Sequence, residues 1–211
     1  MPPLKPEFDL SKALEYIEKF LPKRPKLATD GSDLKDVNIN PTLGTLPLTL
    51  AEFLIASKHP KKILEIGTSV AETAVALGRI AATYGGRIVT IEINRRIASA
   101  AVQNIQHTGV EKNVELIVGD ANEIIEHQKG PFGLIIQDGT KSQYITMLDR
   151  LIELLEPGGI LLSDDILFPV MFDDPKAMTL DPYNHALELD PRLKTVWLPI
   201  GDGVALSTKI Y

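Results

Sequence analysis

The chain has 211 residues, which at about 150 residues per domain implies one domain with an appendage rather than two. It has no cysteine, excluding disulfide scaffolds, thiolate zinc sites, iron–sulfur clusters and a cysteine nucleophile, while 44% apolar and 24% charged residues are ordinary for a folded globular protein. A formal net charge of -6 gives no general attraction to nucleic acid or anionic lipid, no apolar run reaches the roughly 20 residues that span a bilayer, and the start lacks a secretory-type apolar core, so the chain is expected in the cytoplasm.

Leu10, Leu14, Ile17 and Leu21 recur at helical spacing behind Asp9 and Ser11, either of which can cap, and Pro22 ends the pattern. Residues 22–47, rich in Pro, Gly, Asn, Asp and Thr, read as an irregular segment, and residues 48–57 suit a helix covering the coming sheet. Together these form an N-terminal helical cap over residues 1–60. From there, short aliphatic runs alternate with helical ones, the pattern of a largely parallel sheet covered on both faces. Strands are predicted at 63–66, 87–92, 114–118, 132–137 and 159–163, and helices at 71–84, 95–107, 121–127 and 142–155. Gly85-Gly86, Gly109 and Pro157-Gly158-Gly159 read as three helix ends. A loop over 166–181, a helix near 183–189, and strands at 193–198 and 204–210 joined by the turn Gly201-Asp202-Gly203 close the chain as a hairpin. Trp197, within the first of those strands, is expected in the core. The fold class is α/β: a doubly wound, Rossmann-like sheet of seven strands, five parallel plus an antiparallel hairpin, in a single domain spanning 1–211 with its core at 61–211.

Open parallel sheets bind ligands beyond the carboxyl ends of their strands. Here the residues at or just past the five predicted ends are Gly67, Glu92, Asp120, Asp138 and the pair Asp164-Asp165. One acid in such a place is an ordinary cap or turn; five ends in succession favour a shared cleft. The first loop, Glu65 to Thr73, has only one glycine, too few for a dinucleotide pyrophosphate, and no Gly-Lys-Ser or Gly-Lys-Thr. It suits a cofactor without a diphosphate that still needs close backbone contact, with Glu65, Gly67, Ser69 and Thr73 as expected contacts. A carboxylate at Glu92 can accept from both hydroxyls of a ribose; capping a helix with Arg95 or Arg96 is its other possible role. Ile93 and Ala121 would flank an adenine beside Asp120. A nucleoside without phosphates is implied, and S-adenosylmethionine fits, its sulfonium facing acids such as Asp138.

The segments ILEIGTSVAETAVALG, IVTIEIN, VELIVGDANEII, FGLIIQDGTKSQY, GGILLSDDILF, YNHALELDPRL and LPIGDGVALSTK resemble, in order and spacing over residues 47–209, the blocks of metal-dependent O-methyltransferases related to the catechol and caffeoyl-CoA enzymes. The most specific is the DxxK block, Asp138 to Lys141, followed by an acid pair after the fifth strand. The resemblance implies a methyltransferase sheet, Asp138 and Asp164 as metal carboxylates, Asp165 where Asn is usual, and Lys141 as general base, with Asp138 counted catalytic as well. Three oxygen ligands suit a hard divalent cation, magnesium or calcium. A phenol with pKa near 10 is ionised to about one part in 10³ at neutral pH, a deficit of roughly 4 kcal/mol, and a cation on the acceptor oxygen supplies much of it. Lys141 can take the proton if its surroundings lower its pKa.

Three departures stand out. Ala71 replaces the usual second glycine and is expected to crowd the methionine moiety; Gly139 and Thr140 leave fewer side-chain contacts to adenine and acceptor; Asp165 adds a negative charge that tightens cation binding or raises a neighbouring carboxyl pKa. Phe168, Met171 and Phe172, with the irregular N-terminal segment, are candidate acceptor walls. The expected acceptor is a small hydroxylated aromatic molecule and the expected assembly a homodimer, with no nucleic acid or membrane partner. Three other readings stay open: a tRNA hydroxyuridine-type O-methyltransferase drawing on Lys23, Arg24, Lys26 and residues 58–62, an NAD-dependent oxidoreductase, and a non-catalytic cofactor-binding relative.

Overall fold

A computed structural model describes residues 9–24, 27 and 43–211; most of the irregular segment, and Lys26, lie outside the described residues. Helix α1 (Leu10–Glu18) is capped by Asp9, whose carboxylate accepts from the Lys12 N–H, so Asp9 rather than Ser11 starts it. Helix α2 (Thr45–Lys58) begins three residues earlier than expected, because Pro47 falls in its first turn, where a missing N–H costs no helical hydrogen bond.

Seven strands then form one sheet in the order β3-β2-β1-β4-β5-β7-β6. Strands β1 (Lys62–Ile66), β2 (Arg87–Glu92), β3 (Val114–Val118), β4 (Phe132–Gln137) and β5 (Leu155–Ser163) are parallel, and β7 (Val204–Lys209) runs antiparallel to β5 and to β6 (Leu193–Leu198). The seven-strand α/β sheet agrees with the expectation. Helices α3 (Glu72–Tyr84) and α4 (Arg95–Thr108) each end on a left-handed glycine, Gly85 at φ 75° and Gly109 at φ 73°. Helix α5 (Ala121–His127) follows β3 and α6 (Tyr144–Leu154) follows β4.

Because consecutive strand residues face opposite ways, the aliphatic runs serve two layers. Ile63, Ile88, Leu134, Ile136 and Leu162 pack with residues of α2, α3 and α4. Leu64, Ile66, Ile91, Ile135 and Leu161 pack on the other side with residues of α5, α6 and α8 (Leu180–Leu189). A short helix α7 (Phe168–Met171) and a 3-10 turn at Ala177–Thr179 occupy the expected loop.

Two expectations are corrected. Pro157-Gly158-Gly159 does not terminate α6: the chain is already extended at Leu155, and these residues form an irregular start to β5 where its register against β4 shifts. Trp197 is not in the core; β6 is the sheet edge, and Trp197 is 38% exposed there. Among the described residues no helix is long and apolar enough to cross a membrane.

Candidate active site

The sheet order reverses between β1 and β4: β1 leads into a helix on one face and β4 into a helix on the other, leaving a crevice above their carboxyl ends. A cavity of about 860 Å³ opens there, within the range of roughly 300–1,000 Å³ usual for small-molecule sites. It is lined by Gly67, Ser69, Glu92, Ile93, Ala121, Asp138, Lys141, Asp164 and Asp165, together with others from the loops above.

At one end, Gly67 has φ 96°, and a Cβ there would lie 2.2 Å from the Asp138 carbonyl oxygen, so only glycine lets β1 and β4 close up at the crevice floor. The loop continues through two left-handed residues, Ser69 (φ 49°) and Ala71 (φ 71°). The Ser69 N–H donates to Glu92 Oε2 and the Asn94 N–H to Glu92 Oε1, both at 2.9 Å. These two bonds fix the carboxylate in the cavity wall, and each oxygen keeps a further lone pair for a ligand hydroxyl. Helix α4 is capped by Asn94 instead, whose side chain accepts from the N–H groups of Arg96 and Ile97. Ala71 is fully buried against the core and is not part of the lining, so the expected crowding of a methionine moiety by its methyl group does not arise.

Three expected contacts lie outside the lining. Glu65 and Thr73 are buried beneath it, and Thr90 Oγ1 donates to Glu65 Oε2 while bonding Thr68 Oγ1 at 2.6 Å. Burial pushes the Glu65 carboxyl up to about 8 against the Thr90 hydrogen bond, with Asp138 and Glu92 adding to the rise. Asp120 caps α5, accepting from the Asn122 N–H, and also accepts from Gln143 Nε2 at 3.1 Å, which holds Gln143 at the cavity.

At the other end, ligand oxygens of Asp138, Asp164 and Asp165 all lie within 4.8 Å of one another. Asp165 sits at φ 62°, in the left-handed region that aspartate tolerates better than most residues. Its loop is braced by the distant hairpin turn: the Ile166 N–H donates to the Gly203 carbonyl and the Leu167 N–H to that of Asp202. Burial raises Asp138 to about 6, opposed by Lys141 and aided by Asp165. Burial, then Asp138 and Asp165, raises Asp164 to about 8. Asp164 Oδ1 is buried without a hydrogen-bond partner among the described residues. An unpartnered carboxylate oxygen beside two more carboxylates is the donor set of a hard divalent cation, so these residues fit one.

Lys141 Nζ lies 3.0 Å from Asp138 Oδ1 and 2.5 Å from Asp165 Oδ2, and donates to Tyr144 Oη at 3.0 Å. Burial works to lower its pKa, but Tyr144, Asp138 and Asp165 outweigh it and hold the group well above its usual value. The condition attached to a general base is therefore not met by these contacts alone: so paired, Lys141 is an ammonium. Sequence reasoning missed Tyr144, whose hydroxyl donates to the Gln137 carbonyl at 2.7 Å, and Gln143. The Lys141-to-Tyr144 spacing of three at a helix start was the available signal for the first. Phe168 and Phe172 line the cavity, edge to face at 4.9 Å, whereas Met171 does not.

The sequence profile of the O-methyltransferase family matches residues 37–210. The chain belongs to the O-methyltransferase family. Among its relatives, a caffeoyl-CoA O-methyltransferase of Stellaria longipes is 27% identical over 187 residues, covering 80% of this chain and 77% of the relative. Caffeoyl-CoA O-methyltransferase 2 of Populus trichocarpa is 30% identical, over 72% of this chain and 68% of its own. Among solved structures, the S-adenosylhomocysteine-bound methyltransferase PaMTH1 of Podospora anserina superposes with a TM-score of 0.79 at 25% identity, covering 100% of this O-methyltransferase and 99% of that chain. Membership of this family decides against the nicotinamide oxidoreductase reading.

Proposed function

We propose that this O-methyltransferase uses S-adenosylmethionine to methylate a hydroxyl of a small hydroxylated aromatic acceptor, assisted by a divalent cation. The observation that carries this is one cavity with a hydrogen-bonded carboxylate, Glu92, at one end and the Asp138, Asp164 and Asp165 cluster at the other. Part of the basic set that kept an RNA substrate open is engaged within the chain. Lys58, Lys61 and Lys62 donate to the carbonyls of Gly158, Tyr84 and Lys129, and Arg24 pairs with Glu52, away from this cavity.

In this reading Glu92 accepts from the ribose hydroxyls, while Ile93 and Ala121 flank the adenine. Asp138, Asp164 and Asp165 hold the cation, and Phe168 and Phe172 form an aromatic wall for the acceptor. When bound, S-adenosylmethionine supplies a sulfonium methyl for direct displacement by the acceptor oxygen, and the cation supplies positive charge that favours the ionised hydroxyl. The chain's own work is alignment, exclusion of water, and removal of the hydroxyl proton at Lys141 Nζ, which must first leave its ion pairs and lose one proton to solvent so that a neutral amine faces the hydroxyl. The test is calorimetry with S-adenosylhomocysteine, followed by methyl transfer to catechol and caffeoyl-type acceptors with and without chelator. Glu92→Ala should weaken S-adenosylhomocysteine by about tenfold or more, the scale of losing a charged hydrogen-bond acceptor. Asp138→Ala should keep that affinity and lose metal-dependent transfer; unchanged transfer in chelator would remove the cation from the reading.

A further inference from the structure

On the reading of the aspartate cluster as a divalent-ion site, on which this proposal rests, the cluster already contains a cation of the chain's own. The three hydrogens of the Lys141 ammonium have three acceptors, Asp138 Oδ1, Asp165 Oδ2 and Tyr144 Oη. Tyr144 is fully buried and fixed in turn by its bond to the Gln137 carbonyl, so the lysine is held from behind as well as from the front. The ion pairs are sheltered, with the side chains of Lys141, Asp138 and Asp165 only 16%, 14% and 15% exposed. Asp164 takes no part: its Oδ1 is the buried oxygen without a partner among the described residues, within 4.8 Å of the ligand oxygens of the other two.

A divalent ion that draws one oxygen from each aspartate must approach oxygens that already face an ammonium. Opposite charges in a sheltered site attract strongly, and two cations sharing the same carboxylates repel just as strongly. We infer that Lys141 is a built-in competitor for the divalent cation: ion binding is an exchange in which the ammonium leaves Asp165, and Asp165 is the carboxylate that couples the two events. The lysine is then released from its pairs only when the ion site fills.

The exchange makes Lys141 and Asp165 non-additive in cation affinity, which a double-mutant cycle measures directly. Manganese(II) binding is titrated by calorimetry into this chain, Lys141→Met, Asp165→Asn and the double variant, with Lys141→Gln replacing Met if that variant fails to fold by circular dichroism. Lys141→Met should tighten manganese by about tenfold or more; Asp165→Asn should weaken it by less than about threefold when Lys141 is present and by about tenfold or more when it is not. An equal factor for Asp165→Asn in both backgrounds, or no tightening on removing Lys141, overturns the exchange while leaving the ion site standing. No manganese binding in any of the four overturns the exchange and the metal part of the proposed function together. S-adenosylhomocysteine binding by the same four proteins reports separately on the donor half.

Discussion

Gly67 and Glu65 show how much a single position on the first strand and its turn decides. Gly67→Ala would drive a Cβ into the Asp138 carbonyl at a backbone angle alanine avoids, and should destabilise the protein by about 2 kcal/mol or more, read as a lowered urea midpoint, while weakening S-adenosylhomocysteine. Glu65 is the clearest pH reporter. Its folded pKa of about 8 lies above the ordinary 4.5, so between those values the folded state binds the proton more tightly than the unfolded one and stability falls as pH rises. Glu65→Gln removes that titration. The variant should match the parent near pH 4.5 and exceed it in melting temperature at pH 9; a difference that stays flat across this range would mean that the carboxyl is ionised throughout. Asp138 and Asp164 act in the same direction, toward about 6 and about 8, so magnesium should raise the melting temperature more at pH 8 than at pH 5. At this scale the residues facing the cavity were largely legible, because strand ends announce themselves as acids after aliphatic runs. Glu65, Thr73 and Asp120, expected as ligand contacts, lie outside the cavity lining: linear order does not tell a residue on a cavity wall from one buried beneath it or turned toward a helix cap.

Element boundaries followed the same lesson in another form. Helices α2 and α8 both begin three residues before their sequence expectation, and in both a proline, Pro47 or Pro182, sits in the first turn. Read along the chain, proline looks like a barrier; in three dimensions the first turn has no amide hydrogen bond to lose. The start of α6 matters more for chemistry. A 3-10 turn, Lys141–Gln143, delivers Lys141 and Gln143 to the cavity and passes straight into the helix at Tyr144. Beneath it the Tyr183 hydroxyl donates to Gln137 Oε1 and bonds Ser163 Oγ, so both tyrosines pin the end of β4. Tyr144→Phe leaves the Gln137 carbonyl and Lys141 each short of one partner and should lower stability by about 1–3 kcal/mol in chemical denaturation. An unchanged midpoint would mean that water replaces the hydroxyl without penalty.

Across the whole molecule, the alternation of strand and helix was enough to anticipate seven strands and their parallel and antiparallel division. Strand order was not read from the chain, and it creates the site: β4 crosses to lie beside β1, bringing Asp138 and Gly67 together from residues 71 positions apart. Trp197 was misplaced for the same reason, since an aromatic residue in a strand looks like core until that strand proves to be the edge. The two apolar layers share the same five parallel strands, so loss of either exposes the other. Thermal unfolding of the full chain should therefore be one cooperative transition, with fluorescence and circular dichroism midpoints coinciding; separated midpoints would divide the chain into independent units.

The contact of the Gly201-Asp202-Gly203 turn with the strand-five loop has an engineering consequence. Asp202 borders the cavity and its backbone carbonyl accepts a hydrogen bond from the Leu167 N–H, with Asp165 just ahead of that contact. If the proposed function holds, randomising position 202 alone should alter the cavity beside the aspartate cluster while sparing the Glu92 end, which makes this turn the natural starting point for evolving a different acceptor preference.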